Sequence, residues 1–311
     1  MLQFLNLDSI TGKLMICMGI SMNFEGFIKD IQRNGWNVFG TEVYENGRLV
    51  HKYGDTDKSR FPIYSATKTV VSIAARIAFD QGKLKIERSV LDYLPVAAVK
   101  QMSKEQAETF REITIERLLT MSVEGFPFRP EGESYLKYSL ACQVKKVGER
   151  NFHYSNIPAY LVGVAVTQAL SEDLVSFLDR NLFEPLHIVD PVCQRCPDGY
   201  FYGASGMELS VHDLSQIGLL LYNGGVYEGR RILSEEYVKA ATGIRQKNRE
   251  GGYGYFIWKY RDGFSINGKW KQKCYILPER GLVITYLSHI EEESHALVQS
   301  MEKHLLGKIF T

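Results

Sequence analysis

The stretch FPIYSATKTVVSIAARIAFDQG, residues 61–82, sets a serine and a lysine three positions apart, Ser65 and Lys68, where a long apolar run begins. Val70, Val71, Ile73, Ala74, Ile77 and Ala78 leave almost no polar face, so Thr67 to Phe79 reads as a helix buried in the middle of the protein, stopped by Gly82. Residues three apart on a helix share a face about one turn apart, which brings Ser65 and Lys68 within hydrogen-bond reach. A serine hydroxyl needs a base to become a nucleophile at neutral pH, and a lysine can serve once burial disfavours its ammonium form. The helix start adds a backbone N–H and a positive dipole end where an oxyanion would develop.

The pair by itself carries little weight, because the same spacing recurs at Ser134–Lys137 in GESYLKYS and at Ser300–Lys303 in the last helix. Ser134 sits in a polar loop and Ser300 on an amphipathic terminal helix where a lysine is solvated, so only Ser65 has a setting that desolvates its lysine. NFHYSNIPAYLVGVAV, residues 151–166, places Tyr154, Ser155 and Asn156 just before a helix whose start Pro158 favours. A phenol can relay protons beside a lysine, and an asparagine amide can hold a substrate amide and fix the lysine. The matching spacing at Tyr44–Asn46 is explained by a hairpin turn. A late stretch, SINGKWKQKCYILPERGLVITYLS, residues 265–288, offers Lys269, Trp270, Lys271 and Gln272 on a strand followed by a hairpin. On residues alone these read as a strand with solvated lysines.

The rest of the chain frames these stretches. NFEGFIKDIQRNG, residues 23–35, has a helical apolar face of Phe24, Phe27, Ile28 and Ile31 and stops at Asn34-Gly35. WNVFGTEVYENGRLVHKYG then gives two β-rich runs about Asn46-Gly47, a hairpin signal because both central residues need positive φ. The middle is mostly helical, as in TIERLLTMS and IPAYLVGVAVTQALSEDLVSFLDRNLF, around a loop from Gly125 to Gly132. After GASGMELSVHDLSQIGLLLYNGG the chain returns to strands, YGYFIWKY, FSINGKW, KCYIL and LVITYLS, joined at Asp262-Gly263 and Pro278–Gly281. EEESHALVQSMEKHLLGKI closes it as a helix, acidic first and basic later, as the helix dipole prefers. The expected fold is α/β (α+β): an antiparallel sheet from both ends of the chain, residues 1–89 and 198–311, flanked by the N- and C-terminal helices. An all-helical lobe, residues 90–197, is inserted in it.

With 45% hydrophobic, 12% aromatic and 23% charged residues among 311, the composition is that of a soluble globular protein able to bury a sizeable core. Lys and Arg number 37 against 36 Asp and Glu, a net charge of +1, so no field gathers nucleic acid or an anionic membrane, and the expected partner is a small molecule or peptide. No run approaches the roughly 18 apolar residues of a membrane span. LMICMGI, residues 14–20, is at the lower edge for a signal-peptide core, with only Lys13 as a basic flank and no small-x-small site after it. Cys17, Cys142, Cys193, Cys196 and Cys274 are odd in number and scattered, which points to a reducing, cytoplasmic compartment, with an exported form as the alternative. Cys193 and Cys196, with His187 upstream, lack the second pair a zinc site uses, so neither metal nor cofactor is expected.

SxxK, YxN and the late strand, in this order, resemble the serine β-lactamase and penicillin-binding (DD-peptidase) superfamily, most closely the class C β-lactamase-related hydrolases and esterases. The likeness runs over roughly residues 24–288 and includes ITIERLLTMSVEG, LFEPLHI, GASGMELSVHDLSQIGLLLYNGGVYEGRRILSEEYV and LPERGLVIT. It implies a β-lactamase/transpeptidase-like fold and a serine hydrolase acting through an acyl-enzyme on an amide, ester or β-lactam bond. By the resemblance Ser65 is the acylated nucleophile, Lys68 its proton acceptor, Tyr154 the second relay and Asn156 a substrate-binding, lysine-orienting amide. It also implies an oxyanion hole made by the N–H of Ser65 and one from the third-motif strand, at Gln272. Similar proteins end that motif, KTG or HxG, in glycine, whereas Lys269-Trp270-Lys271, or Lys271-Gln272-Lys273 in a shifted register, puts a side chain there. A basic residue suits a substrate carboxylate, while a bulky one crowds the hole. The alternative is a non-catalytic ligand- or peptide-binding protein that keeps the pocket; a Ser-His-Asp hydrolase is disfavoured because no GxSxG elbow occurs.

Overall fold

A computed structural model describes residues 22–145, 148 and 150–306. LMICMGI, Lys13, Cys17 and the last residues of the closing stretch lie outside them. The chain divides into two compact units, one made of its two ends, up to Trp36 and from Glu293, the other running from Asn37 to Glu292.

In the first unit Asn23 caps α1 (Phe24–Arg33), which buries Phe27 and Ile31 and ends ahead of Gly35, φ 62°. In the second, Asn46 and Gly47, φ 50° and 76°, turn β1 (Val38–Glu45) back onto β2 (Arg48–Gly54). The short β3 (Phe61–Pro62) and a 3-10 turn at Tyr64–Ala66 lead into α2 (Thr67–Asp80). Almost every residue of α2 is buried, as its continuous apolar pattern predicts. Ser65 therefore lies in the turn before the helix, and Lys68 in its first turn.

Six α-helices follow among the described residues: α3 (Val96–Val99), α4 (Lys104–Arg111), α5 (Ile115–Leu119), α6 (Tyr135–Leu140), α7 (Ile157–Leu170) and α8 (Leu174–Leu178). Pro158 stands in the first turn of α7, and Ser171, φ 54°, separates it from α8. α7 packs against α2. β4 (Val192–Cys193) and β5 (Met207–Leu209) join β3 in a small antiparallel sheet. Ser210 and Asp213 then close a capping box on α9 (Val211–Tyr222). After β6 (Val226–Tyr227), β7 (Arg230–Arg231) and α10 (Glu235–Thr242) come four more strands: β8 (Trp258–Tyr260), β9 (Gly263–Gly268), β10 (Gln272–Leu277) and β11 (Leu282–Ser288). α11 (Ala296–Leu305) follows and packs with α1 in the first unit.

The main sheet runs β2-β1-β11-β10-β9-β8, with every neighbouring pair antiparallel. Its β1–β11 seam pairs Gly40 with Leu287 and Glu45 with Leu282, so strands from the two ends of the sequence meet as expected. YGYFIWKY contributes only three strand residues, because Phe256 adopts φ 56° and turns the chain before Trp258. The closing helix starts at Ala296, so Glu291 to Glu293 precede it and only its basic last turn, Lys303 and His304, follows the dipole expectation. Among the described residues no single helix is long and apolar enough to cross a membrane.

The two rival serines are already committed. Ser134 is the N-cap of α6 and its hydroxyl donates to Asp198 at 2.5 Å, so it does not lie in a free loop. Ser300 donates to Asp30 at 2.8 Å, on the α1 side of α11.

α9 lies against β10 and β11, and Gly218 makes the approach possible: a Cβ there would stand 2.5 Å from Cys274 Sγ and 3.1 Å from Val283 Cγ1. Gly218→Val should lower the free energy of unfolding by about 1–3 kcal/mol through overpacking, read as a lower urea midpoint at unchanged slope. A midpoint equal to wild type would show that the helix can move off the sheet freely.

Candidate active site

The site is built where α2 begins. Tyr64 adopts φ 47°, and Ile63 is fixed from two sides: its N–H donates to Met207 O at 3.0 Å, and its carbonyl lies where a Cβ on Gly268 would stand, 2.2 Å away. Only glycine lets the end of β9 pass this close to the serine turn.

Lys68 is 1% exposed, and its Nζ donates to three acceptors: Ser65 Oγ at 3.0 Å, Asn156 Oδ1 at 2.7 Å and Ala204 O at 2.7 Å. None is a carboxylate. Burial accordingly pulls the amine down from its ordinary 10.5 to about 7. A neutral amine keeps two N–H donors, which Asn156 and Ala204 can take, and one lone pair, which can face the Ser65 hydroxyl.

Tyr154 closes the other side. Its ring centroid is 5.1 Å from Lys68 Nζ, within an aromatic cluster formed with Phe152, Tyr253 and Trp258. Burial pushes the phenol up to about 12, against a hydrogen bond with Ser65 that pulls it down, so the hydroxyl keeps its proton at neutral pH. The Asn156 amide is oriented at both ends, since Oδ1 accepts from Lys68 while Nδ2 donates to the Tyr202 hydroxyl at 3.3 Å. The loop from Gly125 to Gly132 is fastened to this same segment. His153 Nε2 meets Phe126 O at 2.7 Å, Ser155 Oγ donates to Pro127 O at 2.6 Å and Asn156 N–H donates to Phe128 O at 2.7 Å.

Ser65 and Asn156 open onto a cavity of about 570 Å³ walled by Tyr64, Tyr135, Tyr202 and the loop residues from Phe128 to Gly132, with Ser205 and Lys269 at its edge. Sequence reasoning missed Ala204, Tyr202 and Tyr135. Ala204 acts only through its carbonyl, and its one signal is the glycine before it. A Cβ on Gly203 would stand 2.4 Å from Val71 Cγ2, so glycine brings this chain onto α2.

The third stretch differs from expectation. Lys269 to Lys271 form a 3-10 turn between β9 and β10, not a strand, with Trp270 and Lys271 left-handed at φ 57° and 67°. The chain must reverse here, because β9 and β10 are antiparallel partners pairing Gly268 with Gln272. The Gln272 N–H donates to Lys269 O, and its side-chain amide is held by the Ser288 main chain, at 2.5 and 2.9 Å. Gln272 therefore supplies no oxyanion donor. Of the four residues Lys269 alone borders the cavity, Trp270 packs on Tyr64 and Lys271 is half-buried in the turn. The side chains expected to crowd the serine are thus one turn beyond it, and the residue at the strand end is Gly268.

The profile of the Beta-lactamase family matches residues 31–306. The chain belongs to the beta-lactamase family. No functionally curated protein matches it. Solved structures do. A beta-lactamase/D-alanine carboxypeptidase from Pseudomonas syringae superposes with a TM-score of 0.70 at 14% identity, over 90% of this chain and 96% of that one. A penicillin-binding protein homologue from Caulobacter crescentus gives 0.68 at 16% identity, over 88% and 93%. EstCE1, a hydrolase with promiscuous acyltransferase activity, gives 0.69 at 14% identity, over 89% and 98%. At these identities the likeness is one of fold, and this beta-lactamase-family fold has hydrolases among its neighbours.

Cys193 and Cys196 are free thiols in this family member, and among the described residues no three His, Cys, Asp or Glu are grouped to hold a metal.

The amine at the centre of the site has a measurable signature. Unfolded, Lys68 titrates near its ordinary 10.5, and folded near 7, so between these the unfolded state binds more protons and stability rises with pH. The comparison with Lys68→Met should isolate this term: the variant's stability relative to wild type should fall by on the order of 4 kcal/mol as pH goes from 7 to 10.5. A difference independent of pH in urea titrations would mean that Lys68 keeps its ordinary proton affinity.

Proposed function

We propose that the protein is a serine hydrolase that forms and hydrolyses an acyl-enzyme on an ester, amide or β-lactam bond. The observation that carries this reading is the buried, carboxylate-free Lys68 within 3.0 Å of Ser65 Oγ. Neutral Lys68 takes the hydroxyl proton as Oγ bonds to the substrate carbonyl carbon. The oxyanion is held by the Ser65 N–H and by the main chain where β9 ends, at Gly268 and Lys269, in place of Gln272. Collapse of the tetrahedral intermediate expels the alcohol or amine, which takes a proton from Lys68 by way of the Tyr154 hydroxyl. Water, activated by the same pair, then attacks the acyl-enzyme and releases Ser65. Asn156 holds Lys68 through Oδ1 and offers its Nδ2 edge to a substrate amide.

The cavity walls suit a small molecule or peptide with an apolar portion against Tyr64, Tyr135 and Tyr202. Lys269 and Arg129 at the rim, against the single carboxylate of Glu131, suit a substrate carboxylate. The activities named for similar structures, a beta-lactamase/D-alanine carboxypeptidase and a hydrolase with acyltransferase activity, fall within this range. A second reading, a binding protein that keeps the pocket without turnover, requires that the main chain at Gly268 and Lys269 supply no donor in place of Gln272. One such donor contributes about 3–4 kcal/mol to an oxyanion transition state.

Intact-protein mass after exposure to a fluorophosphonate or a labelled penicillin separates the two. Wild type should gain one adduct and Ser65→Ala none, while a folded wild type that stays unlabelled by both would leave only the binding reading. Lys68→Ala should label about 10²- to 10⁴-fold more slowly with its fold retained. The wild-type labelling rate should climb with pH through about 7, because only the deprotonated amine accepts the serine proton. A rate flat from pH 5 to 9 would remove Lys68 from the role of base.

A further inference from the structure

Trp270 meets three groups at once. Its ring stands edge-on to Tyr64 with centroids 4.9 Å apart, carries the Lys269 ammonium at 4.4 Å and lies on the His289 ring at 4.0 Å. The backbone beneath it is also held: the Trp270 carbonyl accepts from Ser288 Oγ at 2.9 Å and from the Ile290 N–H at 3.4 Å. The paired amide of Gln272 and main chain of Ser288 closes the turn behind it.

The conformations on both sides of this contact are unusual. Trp270 and Lys271 are consecutive left-handed residues, and Tyr64, the residue directly before Ser65, is left-handed at φ 47°. Left-handed backbone in a bulky side chain is a costly outlier that persists only where its surroundings fix it. Met207 and Gly268 bound Ile63, the residue before Tyr64, and the Tyr64 ring packs edge-on against the indole.

We propose that Trp270 is a positioning residue for two groups of the acyl-enzyme chemistry, a proposal that rests on the serine hydrolase reading. The indole braces Tyr64 in its left-handed conformation, which aims Ser65 Oγ at Lys68, and it holds the Lys269 ammonium at the mouth of the cavity, where a substrate carboxylate would sit. The clamp ties the attacking atom and the anion-binding atom to one rigid ring, so the distance between them is set by the hairpin turn and not by two independent side chains. Substrates in which the carboxylate and the scissile carbonyl match that distance are the class it favours.

Three measurements on Trp270→Ala and Trp270→Phe test this, with melting temperatures taken alongside. Fluorophosphonate labelling should slow about tenfold or more in Trp270→Ala and recover most of the wild-type rate in Trp270→Phe, which restores an edge against Tyr64. With p-nitrophenyl butyrate and mono-p-nitrophenyl succinate, kcat should fall on both esters in Trp270→Ala, while KM rises selectively for the carboxylate-bearing one. In NMR spectra the Tyr64 ring protons and the Lys269 ε-methylene, shifted by the indole ring current in wild type, should move in Trp270→Ala. Labelling at the wild-type rate, or a Trp270→Phe as slow as Trp270→Ala at equal melting temperature, overturns the proposal. A wild type that takes no label removes the acyl-enzyme reading only; the NMR shifts still decide the clamp, and their staying unchanged overturns it.

Discussion

An amine buried without an acid beside it is the constraint on which the rest of the structure depends. Put a carboxylate next to Lys68 and the ammonium is favoured, leaving no lone pair for the Ser65 hydroxyl. Leave the lysine in water and its proton stays on at neutral pH. The fold therefore supplies a dry position lined by neutral acceptors, and these come from far along the chain: Asn156 is 88 residues away from Lys68 and Ala204 is 136. The buried α2 excludes water, α7 packs against it and places Asn156 at its own N-terminal end, and the glycine at 203 lets a carbonyl come close. Each of these serves the charge state of one nitrogen.

What was legible in the sequence follows from how locally it is encoded. The Asn46-Gly47 hairpin, the apolar α2 and the helix after Asn156 are written in adjacent residues, through positive-φ turn chemistry and the 3.6-residue period. The same locality makes the three SxxK spacings alike as bare motifs. What separates Ser134 and Ser300 in the structure is a long-range partner for each, Asp198 and Asp30, and no local pattern announces it. Ala204 works through its carbonyl, which any residue possesses, so its own identity could not reveal it.

The turn after β9 departs from the strand its residues suggest for a related reason. Lys-Trp-Lys-Gln alternates well enough for a strand, and two consecutive non-glycine residues at positive φ have no compositional signature. Their conformation is imposed from outside, by the Ser288 hydroxyl, the Gln272 amide and the rings of Tyr64 and His289. The glycine that the resemblance places beside the serine is Gly268, three residues ahead of Lys271, where the Lys269-Trp270-Lys271 register puts it. It is hidden because FSINGKW reads as one unbroken strand, whereas the strand ends at Gly268.

The fastening of the loop from Phe126 to Phe128 has an implication for how this site could change. All three of its anchors are main-chain carbonyls, gripped by His153, Ser155 and the Asn156 N–H. The Phe126 side chain is buried against Phe110 and adds to this hold, whereas that of Phe128, 62% exposed, bears no part of it. The wall can thus be resurfaced from Phe128 onward, with Phe126 kept, while its backbone and the Tyr154–Asn156 segment it grips stay where they are. The shape of the cavity wall and the placement of Ser65 and Lys68 are mechanically decoupled at this seam, which makes the loop the place where the cavity can be reshaped without disturbing the serine and its amine.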